Sequence, residues 1–187
     1  MDLTALRILI IAFLLFVFTD FLRSKFSLDL SRLVIVTYSC LLVFVFSETA
    51  LLLWGTCALV LSEIDRREYR IPDAITKPAL FALSIWHAQS FGVILFAWTW
   101  IALMYGLTII APHLIGRGDI KLIACLILLN EATTYIAPEA FLGYLLSLAS
   151  LLALPEALLR QRSRRLHPFP FGPALSAASL LIFGFSA

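Results

Sequence analysis

Apolar runs of membrane-spanning length recur along the whole chain, and no other feature limits its fold so tightly. The stretch FGVILFAWTWIALMYGLTII, residues 91–110, carries no charged side chain. About twenty such residues suffice to cross the hydrocarbon core of a bilayer as a helix, where every main-chain group must find its hydrogen-bond partner internally. The chain is 61% hydrophobic and 14% charged over 187 residues, against about a quarter charged in ordinary soluble domains. No stretch alternates polar and apolar residues as the strands of a membrane barrel must. These observations imply an all-α, polytopic helical membrane protein made of a single membrane domain, residues 1–187, with no room for a separate soluble domain.

Eight hydrophobic segments follow, at about 5–22, 32–47, 49–65, 77–89, 91–114, 119–131, 138–159 and 173–186. The second and third run together around Ser47–Thr49 and are also readable as one long helix. Pro78 suggests that the fourth begins near Thr76, which places this proline in a first turn, where its missing N–H costs little. The first segment has only Arg7 near its start and is followed by RSK, which suits an uncleaved helix better than a secretory signal.

Charge supports the count. Ten of the fourteen Lys and Arg residues fall in 66–77, 116–121 and 160–165, and Arg23, Lys25 and Arg32 mark a fourth gap. With eight segments all four gaps lie on one side, while the opposite gaps hold Glu48, His87, Glu131 and Glu139. The positive-inside rule makes the basic side cytoplasmic and turns both chain ends outward. The RQRSRR stretch reads as a topology anchor and a contact for anionic membrane lipids.

Two carboxylates stand out because acids near a membrane are costly unless they are paired or used. Asp65 closes the third segment and Asp119 opens the sixth, so two helices bring them to one depth at the cytoplasmic face. Pairing of Asp65 with Arg66 or Lys121, and simple capping by Asp119, remain open as structural alternatives. Helix-end position alone favours an ionised Asp119 and a protonated Asp65. Gly116 and Gly118, on either side of Arg117, leave room beside Asp119 for an approaching chain. Paired carboxyls can split a peptide bond, one taking a proton from water and the other protonating the carbonyl. The histidines His87, His113 and His167 are dispersed, and Cys40, Cys57 and Cys125 show no metal-ligand spacing.

GRGDIKL (116–122) resembles the GxGDxK signature of the prepilin leader peptidases, a family of GxGD-type membrane aspartic peptidases. IDRREYRIPD (64–73) is similar to their first catalytic segment, and PFGP (170–173) to the loop before their last helix. The resemblance spans roughly residues 30–186. It implies catalytic roles for Asp65 and Asp119. It implies site-shaping or substrate-binding roles for Gly116, Gly118, Lys121, Pro72, Asp73, Pro170 and Gly172, with Ile71 in the same IP[ND] turn. The implied activity is removal of a short basic leader from type IV prepilin-like or pseudopilin-like precursors at the inner membrane of a bacterium. No cofactor, metal or nucleic acid is implied. Long family members carry a cysteine-rich cytoplasmic loop between their first two helices; here RSKFSLDLS takes its place, which points to a short form with peptidase activity alone. A proton-coupled transporter and an idle assembly scaffold are the rival readings.

Overall fold

The computed structural model describes residues 49–111, 115–134, 136–162 and 170–186. The first two segments expected from the sequence lie outside these residues. Six helices occupy the described part: α1 Thr49–Glu68, α2 Asp73–Trp86, α3 Phe91–Ile110, α4 Arg117–Thr133, α5 Pro138–Arg162 and α6 Gly172–Ser186. No strand occurs among the described residues.

The bundle is organised around α4. Every residue from Ile120 to Asn130 is buried, because α4 packs against α2, α3, α5 and α6 at once. A helix enclosed on all sides must be apolar all round, and the run from Leu122 to Leu129, LIACLILL, is. Its C-terminal end is closed by Asn130, whose side-chain amide donates to the Ile136 carbonyl at 2.7 Å and so braces the link into α5. On the far side α1 packs on α6, where the Trp54 indole N–H donates to Ser179 Oγ at 3.0 Å. Phe141 of α5 and Phe183 of α6 stack at 5.7 Å between ring centroids, both fully buried.

The outer helices behave differently. α3 and residues 138–159 of α5 have mean hydropathies of 2.1 and 1.7 and are long and apolar enough to cross a membrane. Both leave large apolar side chains uncovered: Leu103, 63% exposed, with Leu95 and Ile109 on α3, and Leu151 and Leu158 on α5. The core helix of a water-soluble protein would bury these side chains. A continuous apolar exterior of this kind belongs against lipid or a partner.

Two boundaries depart from the sequence reading. α2 begins at Asp73, so Pro78 lies inside the helix instead of in its first turn. Pro72 starts the helix instead. With φ −67° and ψ 131° it sits as N-cap, and its carbonyl accepts the N–H groups of Ile75 and Thr76 at 3.1 and 3.2 Å. The ladder bond that Pro78 cannot make is lost near the helix start, on an exposed face. α5 continues to Arg162, beyond the expected end at 159, and carries Pro155 within it.

Spin labels should separate the two environments. In a background lacking Cys40, Cys57 and Cys125, a label at Leu103→Cys in bilayers is expected to relax with lipid-dissolved oxygen and to resist a water-soluble quencher. Quenching from water at Leu103 would place α3 outside the hydrocarbon.

Candidate functional site

Three helix ends meet where the sequence motifs converge. Asp65 lies in the last turn of α1, Asp119 in the first turn of α4, and Gly172 at the start of α6. α1 stops at Glu68, three residues after Asp65, because Tyr69 adopts φ 53°, the left-handed conformation common just past helix ends, with its N–H on the Asp65 carbonyl at 2.8 Å. A non-glycine residue there costs of order 1 kcal/mol or more. It turns the chain sharply into Arg70–Pro72 and α2.

Asp65 is 4% exposed. Its carboxylate accepts the main-chain N–H of Gly172 at 2.9 Å, from a residue 107 positions along the chain. The approach is so close that a methyl group at position 172 would stand 2.8 Å from the Asp65 carboxylate oxygen and 3.2 Å from its Cβ. Only glycine fits without displacing Asp65. Pro170, two residues earlier, is buried, so the PFGP loop is seated on the end of α1. Neither cation suggested as a partner for Asp65 takes that place: Arg66 is exposed, and Lys121 is engaged with Asp73.

Asp119 is three residues past Gly116, the N-cap of α4, and its carboxylate accepts the Gly116 N–H. This is the return half of a capping box, in which the third helical residue satisfies an orphan donor at the cap. A side chain at position 116 would meet the Asp119 carboxylate at 2.7 Å. The Asp65 and Asp119 carboxyls are near enough for the charge of one to act on the other. Both receive one main-chain donor, and both keep the helix-end positions expected of them.

The IPD turn is fastened to α4 at two points. Gly118 packs directly on Ile71; a Cβ there would lie 2.8 Å from Ile71 Cβ and 3.1 Å from its main-chain N and O. Lys121, 7% exposed, reaches across from α4 to ion-pair with Asp73 Oδ1, while Lys77 pairs with Asp73 Oδ2 at 2.9 Å. Asp73 is thus a partner for a buried ammonium group, more than the turn residue its position in the motif suggests. Of the two cations left open from the sequence as partners for Asp65, Lys121 is committed to Asp73 instead. The hydrogen bonds and charges of Lys121 and Lys77 hold the Asp73 carboxyl below its ordinary value.

The nine residues singled out from the sequence therefore converge on one end of the bundle. Among the described residues no group of His, Cys, Asp and Glu is arranged to hold a metal ion. The sequence model of the type IV leader peptidase family matches residues 50–158, more than half of the chain. The chain belongs to this family. Membership points to a membrane-associated protease, with leader-peptidase activity and prepilin-like substrates as the general class. The matched region contains Asp65, the IPD turn and GRGDIK, and ends before the PFGP loop that reaches Asp65. Searches among curated proteins and among solved structures returned no match.

Asp73→Ala is expected to lower the unfolding stability in detergent by about 1 kcal/mol, as a half-exposed ion pair is lost and Lys121 is stranded. Asp73→Asn, which keeps an acceptor, should lose less. Because the Asp73 carboxyl is held below its ordinary value, its contribution is present at neutral pH and disappears as pH falls through the lowered folded-state value. Melting curves of wild type and Asp73→Ala should accordingly differ at pH 7 and converge in acid.

Proposed function

We propose that the chain is an aspartic endopeptidase that removes the leader from type IV prepilin-like precursors, with Asp65 and Asp119 activating water. The observation that carries this reading is the meeting of two carboxylates, each held by a main-chain N–H, at one end of the bundle. Two such groups close together cannot both ionise readily, so the pair holds one proton between them at working pH.

In the proposed reaction the ionised carboxylate takes a proton from water as its oxygen bonds to the scissile carbonyl carbon. The protonated carboxyl gives its proton to the carbonyl oxygen. The tetrahedral intermediate then collapses: the C–N bond breaks, the proton drawn from water leaves with the new amine, and a hydroxyl of the intermediate returns its proton to the other carboxylate as the carbonyl re-forms. Each acid returns ready for the next turn without any metal or organic cofactor. Gly116, exposed beside Asp119, keeps a side chain out of the carboxylate, whereas the room expected at Gly118 is filled by Ile71. Pro72, Asp73 and Lys121 hold the IPD turn in place, and Pro170 and Gly172 seat the loop against Asp65.

The proposed setting is the inner membrane of a bacterium, with eight membrane segments, the site on the cytoplasmic face and the precursor's apolar helix lying beside the bundle. The one-sided distribution of Lys and Arg supports this orientation. A proton-coupled transporter fits less well. Such a protein needs polar groups continuing across the bilayer, and the buried run from Leu122 to Leu129 has no charged residue.

Asp65→Asn and Asp119→Asn are each expected to abolish cleavage of a precursor while leaving insertion and melting nearly unchanged. Full activity in either folded variant would exclude the mechanism. Gly172→Ala should lower kcat by roughly a hundredfold, since a shift of about 1 Å in a reacting group has costs of that size. KM should change far less. Orientation is testable separately: Ser163→Cys in a cysteine-free background should resist an impermeant thiol reagent applied from outside intact cells.

A further inference from the structure

A second feature near the same end of the bundle is a groove between α2, α3 and α4 that the proposed peptide chemistry does not use. Its volume is about 410 Å³, and its walls include Leu80, Trp98 and Ile101. At one end stand Lys77, Lys121 and Tyr105. The two lysines lie in the opening turns of α2 and α4, while Tyr105 lies near the close of α3. Trp98 and Ile101 come earlier along α3, and the Trp98 indole N–H reaches Ser84 Oγ at 3.3 Å, one turn beyond Leu80 on α2. The groove therefore has a cationic mouth at the end where Asp65 and Asp119 sit, and an apolar body running along the helices.

Charge and shape together select an occupant. Two ammonium groups share the single carboxylate of Asp73, so the mouth carries one net positive charge, and the groove lining holds no acid. A phosphodiester supplies the one negative charge that complements it. The body demands a slender apolar chain, because a helix about 10 Å across fills a comparable volume in a single turn of about 5.4 Å. Phe81, on the same wall, and Trp98 remain exposed on the apolar exterior, so the groove is open to the surrounding acyl chains. Basic recesses between membrane helices bind anionic headgroups by these same terms.

We propose that this groove binds one anionic phospholipid, its phosphate at Lys77 and Lys121 and an acyl chain between α2 and α3. The site is independent of the Asp65–Asp119 chemistry and stands or falls without it. It ties the lipid to Lys121, which also fastens the IPD turn, so an occupied groove would brace the end of the bundle where the acids meet.

The test uses the full chain in nanodiscs of equal parts phosphatidylglycerol and phosphatidylcholine, followed by native mass spectrometry. Wild type is expected to retain one phosphatidylglycerol in preference to phosphatidylcholine. Lys77→Gln should lower that preference about fivefold, the effect of one cation near a membrane surface. Ile101→Trp, which leaves both lysines and fills the groove, should abolish retention, with circular dichroism confirming unchanged helix content. Equal retention of the two lipids by wild type would overturn the proposal. So would wild-type retention in both variants, or an Ile101→Trp variant that keeps its lipid but shows a raised KM for a precursor, which would assign the groove to the substrate's helix.

Discussion

The hydrogen bond from Gly172 N to the Asp65 carboxylate is the contact on which the rest of the site depends. It joins the end of α1 to the start of α6, and it forms only because position 172 has no side chain. A buried carboxylate without a donor is costly. Here the donor is an orphan N–H at a helix start, a group that itself needs an acceptor. Each satisfies the other. The same logic recurs at Asp119, where the Gly116 N–H is satisfied by the carboxylate three residues on. Two acids are thus held at the rim of an apolar bundle, and among the described residues no arginine or lysine forms an ion pair with either.

Glycine does the spacing throughout. Gly116, Gly118 and Gly172 each bring main chain to a distance that a Cβ would prohibit, against Asp119, Ile71 and Asp65 respectively. The consequence is that three otherwise separate motifs form one surface. α4 supplies the rigid reference. Enclosed from Ile120 to Asn130 by its neighbours, it fixes where Asp119 begins and where Lys121 can reach.

Much of this arrangement was legible in the sequence, because membrane helices announce themselves by apolar length. The six described helices overlap the third to eighth expected segments, with ends shifted by up to four residues, and Asp65 and Asp119 stand in the turns assigned to them. What escaped was governed by contacts between segments. Nearly all the runs are apolar on every face, so nothing in their periodicity marked α4 as the central helix. The sequence places the start of α2 too late because Pro78 suits a first turn, whereas Pro72 and the ion pairs of Asp73 set the boundary. The pairing of Lys121 with Asp73 had no mark in the sequence either, because it depends on how the turn at Tyr69 sets Asp73 against α4. The acid and base roles were argued from helix ends alone, and the main-chain donor that Gly172 brings from 107 residues away had no signature beyond the glycine itself.

The central claim is that Asp65 and Asp119 face each other at one end of the bundle. Oxidative cross-linking of Asp65→Cys with Asp119→Cys, in a chain otherwise free of cysteine and carrying a protease site in the turn at 87–90, tests it directly. Facing side chains should form a disulfide, so that the two proteolytic fragments stay joined until reductant is added. Fragments that separate freely after oxidation would contradict the account.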